Sequence, residues 1–402
     1  MDFKHRLKYT RRWFWLIVLV VGLSALILPV FKTPYFKTEI RAMDKNQSVL
    51  TENTTRIYGK DIFEAAAAIT QTVYPATFED TKPGAVVLVP PDDWRLALIS
   101  LELTHFPVDA PILFIEKDRI PEATLKEIER LQPEGVLQDS NVRVFLVGDV
   151  EPEVLKQLRE KKLKTRHFKT SDSLEFSRLV DDYRASMRAD HVDQVLVLPV
   201  DNPEYAVIAA TWVAHMGHAM LFTEKESIPQ ETIKALAKRP QDAFIYILAP
   251  PNVISSRVEQ ELSKYGHVQR IPGSDPFEMA SGFAGYKDVG RNFGWWVRRS
   301  VRNFGWGISE AGHNFTFVNT ETPLYAIAGA IFSHRSRHGP MLWVMRDKVP
   351  DAVKRYLEIV RPTYTGSQEQ VFNYGILIGG PEEISVEVQS ELDTLLSVKY
   401  GG

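Results

Sequence analysis

Short apolar runs without clean alternation recur along this chain, set between polar stretches that carry the three-to-four spacing of amphipathic helices. In the first stretch the runs Val86-Val-Leu-Val, Ile112-Leu-Phe and Val144-Phe-Leu-Val alternate with helical patterns over residues 63–74, 94–106, 122–131 and 151–162. Apolar runs lacking a polar face predict parallel strands covered on both sides. Helices between such strands predict right-handed crossovers, so each unit should be a small three-layer α/β domain.

The pattern is made three times. Arg56-Ile-Tyr-Gly59-Lys-Asp61-Ile-Phe63-Glu64 opens the first unit, and Arg270-Ile-Pro-Gly273-Ser-Asp275-Pro-Phe277-Glu278 opens the third with the same residues at the same offsets. Between them lies a degraded opening, Arg166-His-Phe-Lys169-Thr-Ser-Asp172-Ser-Leu-Glu175, one residue longer from Arg to Glu and with Lys169 replacing the Gly. Later landmarks keep their order. Strand-turn-helix starts run to Ala97, Ala206 and Ala326. Strands follow over Ala110-Pro-Ile-Leu-Phe114, His218-Ala-Met-Leu-Phe222 and Gly339-Pro-Met-Leu-Trp343, then helix starts at Pro121, Pro229 and Pro350. The last strands end at Gly148, Ala249 and Gly379. This order predicts a tandem repeat with modules over 56–165, 166–269 and 270–402.

The start of the chain breaks the pattern. Residues 13–31 hold no charge, and roughly 20 apolar residues cross a hydrocarbon core. Lys4, Arg6, Lys8, Arg11 and Arg12 precede that run against Asp2 alone. Residues 1–12 therefore read as a cytoplasmic tail, 13–31 as a single transmembrane anchor in the plasma membrane, and the bulk of the chain as extracytoplasmic. A cleaved signal peptide is the rival reading, although Ser24-Ala25 lies inside the apolar run and not after it. Residues 32–55 are polar and aperiodic and read as a tether. Setting the basic tail aside leaves the remainder more acidic than the overall −3, which argues against a nucleic-acid partner. With no Cys there is neither a disulfide framework nor a lipid-modified Cys.

The third copy is longer between Glu278 and Ala326, and the excess falls in residues 286–313. This insert repeats Arg-Asn-Phe-Gly-Trp at Arg291 and Arg302, about three helical turns apart. On a helix Phe293, Val297, Val301 and Phe304 would share one face and Arg291, Arg298 and Arg302 the other.

The Arg-x-x-Gly-x-Asp-x-x-Glu openings, the Ala-Pro-Ile-Leu strand and the late strand ending in Gly379-Gly380 resemble the cell wall-binding repeat 2 family over about residues 56–398. That resemblance implies three α/β parallel-sheet modules packed as a pseudo-threefold trimer. It also implies an exported protein of a Gram-positive bacterium, held non-covalently on an anionic wall polymer of the teichoic type. The family's Glu-Thr-Ala reads here Glu64-Ala-Ala66 and Glu278-Met-Ala280, and its second-helix Asp-Ala survives only as Ala97, Ala206 and Ala326.

Several residues suit a binding role. Arg56, Asp61 and Glu64, with Arg166, Asp172 and Glu175 and with Arg270, Asp275 and Glu278, could line a polymer groove. A helix start capped by its Asp, with Glu paired to Arg, explains them as well. Gly379 and Gly380 could offer N–H groups to an anion or form a tight strand–helix turn. In the insert, Trp295, Trp296 and Trp306 could stack on sugar rings while Arg291, Arg298, Arg299 and Arg302 hold acid groups. The same residues would suit a membrane interface, or would fill a contact between modules. His215 with His218, and His334 with His338, have helical spacing, but no carboxylate recurs with them and no metal is expected. No Gly-x-Ser-x-Gly, His-Glu-x-x-His, Gly-x-Gly-x-x-Gly or P-loop signature occurs, so no enzyme and no cofactor is expected. The sequence reads as a membrane-anchored envelope protein that binds wall polymer. Its rivals are a scaffold for another envelope protein, and an α/β sensor or enzyme holding a sugar phosphate or nucleotide at the strand C-termini.

Overall fold

The computed structural model describes residues 48–78, 81–188, 191–288, 303–335, 337–366 and 369–400. The expected anchor 13–31, the tether up to residue 47 and the insert over 289–302 lie outside the described residues. Among the described residues no helix is long and apolar enough to cross a membrane.

The described residues begin with β1 (Ser48–Leu50), β2 (Thr54–Ile57) and α1 (Ile62–Val73), so residues 48–55 of the expected tether are instead drawn into a sheet by backbone pairing. The first module continues as β3 (Val86–Val89), α2 (Trp94–Ser100), β4 (Ile112–Phe114), α3 (Glu122–Leu131), β5 (Val144–Val147), α4 (Pro152–Glu160) and β6 (Thr165–Phe168). The second comprises α5 (Ser173–Arg188), β7 (Gln194–Pro199), α6 (Pro203–Ala206), α7 (Ala209–Met216), β8 (Ala219–Thr223), α8 (Gln230–Leu236), β9 (Phe244–Ile247), α9 (Ser256–Leu262) and β10 (His267–Arg270). The third comprises α10 (Pro276–Gly285), β11 (Asn314–Asn319), α11 (Pro323–Gly329), α12 (Ile331–Arg335), β12 (Met341–Val344), α13 (Asp351–Ile359), β13 (Tyr374–Ile378) and α14 (Val386–Leu396).

The expected helix over 94–106 stops early. It is α2, then a 3-10 turn at Leu101–Leu103 and a loop through Pro107, which has no N–H to continue the ladder. The strand runs are buried throughout, as for sheets covered on both faces: β3, β4, β5, β8 and β12 have no exposed residue.

Among the described residues three separate sheets form, in the orders β4-β3-β5-β6, β8-β7-β9-β10 and β1-β2-β13-β11-β12. All pairings within these sheets are parallel except β1 on β2. The opening strand of each repeat completes the sheet of the preceding module: β6 lies on β5, and β10 on β9. The first opening strand, β2, has no module before it and pairs with β13 of the last. Folded modules are thus offset by one strand from residues 56–165, 166–269 and 270–402, and the two ends of the repeat array share one sheet.

The opening helices join the modules. α1 packs on β4 and α3 of the first module and also on α11 and α12 of the third. α5 packs on β8 and α8 and reaches back to α2, while α10 packs on β12 and α13 and reaches back to α6. The helices that follow the first strand of each module meet one another, with α7 against α12 and against the 3-10 turn at Leu101–Leu103, and α11 against α2.

Candidate functional site

The repeat motif builds three capped turns. Asp61 accepts from the Glu64 N–H at 2.9 Å, Asp275 from those of Phe277 and Glu278 at 2.9 and 2.8 Å, and Asp172 from those of Leu174 and Glu175 at 2.9 and 3.2 Å. The Glu reaches back one residue beyond the cap, Glu64 accepting from the Lys60 N–H at 3.2 Å and Glu278 from that of Ser274 at 3.3 Å, so it closes the turn without completing a capping box. Glu175 instead accepts from the Thr170 hydroxyl at 2.7 Å. Gly59 and Gly273 are required because the turn folds over the helix start. A Cβ on Gly59 would meet the Ala65 nitrogen at 2.4 Å, and one on Gly273 the Met279 Cα at 2.4 Å.

The arginines turn away from these acids. Arg56, 1% exposed, donates to the carbonyls of Gly379 at 2.8 Å and Ser385 at 3.3 Å and to Gln389 Oε1 at 3.0 Å. Arg270 donates to the Ala249 carbonyl and to Glu259. Both therefore tie the end of the neighbouring strand to the helix that follows it. In the register Arg56 stands opposite Leu377, Arg270 opposite Ile247, and His167 opposite Leu146. His167 Nε2 lies 2.8 Å from the Gly148 carbonyl, the equivalent acceptor. His167, not Arg166, thus occupies the motif position, and counting from it restores the spacing to Asp172 and Glu175. Thr170, not Lys169, then stands where the glycines are. Arg166 lies on the other face and pairs with Asp139.

The anion-turn residues are already served. The Gly380 N–H donates to Glu383 Oε2 at 2.7 Å, so a carboxylate of the chain's own fills that position. Of the insert residues, Arg291, Trp295, Trp296, Arg298, Arg299 and Arg302 lie outside the described residues. The base of the insert is closed, with Asp288 and Phe304 exchanging backbone hydrogen bonds at 2.8 and 3.2 Å. Phe304 is fully buried and stacks on Tyr246, ring centres 3.5 Å apart. Trp306 stacks on His215 and meets Trp212 edge-on. Its place is in a contact with the second module.

Histidines gather where the modules meet. His215 and His338 place their Nδ1 atoms 3.0 Å apart, His334 lies 3.1 Å from Asp109, and His218 accepts from Trp212 Nε1 at 2.9 Å. Burial pushes His105 and His215 down to about 4 and His218 to about 3. Beside them Glu102 is fully buried, accepting from the Met220 N–H at 2.8 Å and from Arg184 at 3.3 Å; burial raises its carboxyl to about 7. Among the described residues the one group with metal-ligand spacing lies elsewhere, at Asp181, Asp182 and His191. Its carboxylates already accept from Arg239, Lys238 and Arg178.

A crevice of about 670 Å³ opens over the C-terminal ends of the first sheet, where ligands sit in open α/β sheets. Pro90, Leu96, Val150 and Leu155 give it an apolar floor. Its rim carries Asp92 paired with Lys117 at 2.5 Å, Asp149 within 3.8 Å of Lys169, and Glu151 and His167. Apart from His167 and Lys169 of the degraded opening, none of these residues stands out by motif. The legible signal is a short turn: Gly148-Asp-Val-Glu151 precedes α4, where the other modules have Ala249-Pro-Pro-Asn-Val-Ile-Ser255 and Gly379-Gly-Pro-Glu-Glu-Ile-Ser385.

No family model matches the chain. The amidase enhancer of Bacillus subtilis (strain 168) is 24% identical over 228 residues, which is 57% of this chain and 29% of that protein. Among solved structures, Cwp6 from Clostridium difficile superposes with a TM-score of 0.67 at 17% identity, covering 89% of this chain and 51% of that one. Cwp8 from the same organism gives 0.62 at 16% identity, covering 86% and 53%. The chain thus spans about half the length of these two cell wall proteins and less than a third of the amidase enhancer. At such identities the likeness is one of fold.

Proposed function

We propose that this chain is a non-catalytic, wall-associated envelope protein whose three modules, in a pseudo-threefold packing, hold it on a wall polymer. One observation carries the reading: a ring of three α/β modules closed by the first strand, of the same fold as two cell wall proteins. The apolar segment 13–31 would anchor the chain in the plasma membrane with residues 1–12 in the cytoplasm. The modules would then face the wall. The acidic balance of the chain leaves few places to hold an anionic, teichoic-type polymer. The basic and aromatic residues of 291–306 are the densest of these.

Sedimentation of the full chain with purified Gram-positive cell walls tests this. Because the Asp288–Phe304 bridge closes the base of the insert, residues 289–302 can be replaced by a short Gly-Ser turn without disturbing the packed Phe304 and Trp306. The intact chain should pellet with walls, high salt should release it, and the replacement should pellet weakly. Equal recovery in the supernatant with and without walls would remove the polymer claim.

A further inference from the structure

The crevice over the first sheet differs from its counterparts in several ways at one place. In the second and third modules the turn before the last helix carries Ile254 and Ile384, both fully buried, and ends on a Ser cap at Ser255 and Ser385. The first module lacks that stretch. The N–H of its cap residue, Glu151, still donates to the Lys117 carbonyl at 2.7 Å, as Ser255 does to Lys225 and Ser385 to Arg346. The helix is therefore anchored alike while the covering turn is missing. At the same end, His167 stands for the arginine and Thr170 for the glycine of the other copies. Three departures that converge on an open cavity mark it as a specialised site.

Its chemistry is of two signs. Lys117 and Lys169 have side chains 62% and 71% exposed, and among the described residues each pairs with an exposed Asp. Exposed pairs of this kind are weak and exchange readily for a ligand's charges. α4 also begins here, adding its N-terminal field, and Glu151 has no side-chain bond to the helix it caps. A polyanion would meet Asp92, Asp149 and Glu151, and a polycation would meet both lysines. No Trp, Tyr or Phe is among the described lining residues, so a neutral sugar finds no ring to stack on.

We propose that this crevice binds a zwitterionic group, an ammonium carried close to a carboxylate or phosphate. Lys117, Lys169 and the start of α4 take the acid end, and Asp149 and Glu151 take the ammonium. The proposal goes beyond wall adhesion and is read separately from it, since its test contains no wall.

The full chain, in detergent solution, is titrated calorimetrically with D-alanyl-D-alanine and with phosphoethanolamine, zwitterions whose acid ends are a carboxylate and a phosphate. N-acetyl-D-alanyl-D-alanine and inorganic phosphate serve as ligands without the ammonium. At least one zwitterion should bind, its tighter member naming the acid. Binding should weaken by about two- to fivefold in Lys169→Gln and in Glu151→Gln, the scale of one exposed charge contact. Both side chains face solvent, and unchanged circular dichroism confirms each variant's fold. Absence of heat with both zwitterions at millimolar concentration overturns the proposal. So does equal binding of the ammonium-free ligands, or binding that both substitutions leave unchanged.

Discussion

At the scale of single residues, the opening motif holds structure together. Its acids cap helices, and its arginine clamps the neighbouring strand end to the next helix. The spacing of Asp and Glu was legible because a helix start accepts few residue types at those offsets. The middle copy misled for a physical reason: an arginine one position early resembles the motif, but side chains alternate along a strand. A slip of one residue reverses the face. Arg166 therefore meets Asp139 while His167 meets Gly148. The two arginines should behave differently. Arg56→Met would leave two carbonyls and Gln389 without their donor inside the fold, a loss of about 2–4 kcal/mol. Arg166→Ala breaks a pair whose arginine is 42% exposed and should cost about 1 kcal/mol or less. Urea denaturation of both variants measures this, and equal losses would contradict the assignment.

At the scale of elements, the alternation of short apolar runs with amphipathic stretches gave away the helices and strands, and their order gave away the repeat. Helix ends moved by a few residues, as at Leu101–Leu103, where helical hydrogen bonding tightens before Pro107. What could not be read was which sheet each strand joins. Parallel pairing lies in contacts between distant residues, and nothing local to Thr54–Ile57 says that its partner is Tyr374–Ile378. The crevice was hidden likewise, since its lysines and acids look like ordinary helix-start and loop charges. The shortened Gly148–Glu151 turn, set beside the other two copies, is what marks the first module in the sequence, together with His167 and Thr170 once the register is known.

At the scale of the whole molecule, the modules are joined through polar groups at their contacts, from fully buried to partly exposed. Glu102 reaches the Met220 N–H, and Asp109 pairs with His334 and Arg335 of the third module. This joint gives the fold a pH dependence. His105, His215 and His218 are held well below their free value near 6.5, so unfolding below neutrality takes up protons and stability falls as pH drops from about 6.5 towards 4. Glu102 works in the opposite sense. Its raised carboxyl favours the fold at low pH, and that contribution fades as pH rises from about 4.5 to 7. Three imidazoles outweigh one carboxyl. Stability should therefore fall on the order of 1 kcal/mol per pH unit between pH 6.5 and 5, after allowing for the partial exposure of His105 and His215. Thermal melts across that range should show the decline, and His105→Gln with His215→Gln should flatten it; a melting temperature constant from pH 7 to 5 would contradict it.

The ring of modules is closed by its own first strand, β2 on β13. Hydrogen–deuterium exchange of the full chain, followed peptide by peptide, tests that most directly. The amides of Thr54–Ile57 should exchange as slowly as those of Tyr374–Ile378, because the two strands share one ladder. Exchange of Thr54–Ile57 at the rate of an unstructured tether, with Tyr374–Ile378 still protected, would leave the third sheet open and the ring unmade.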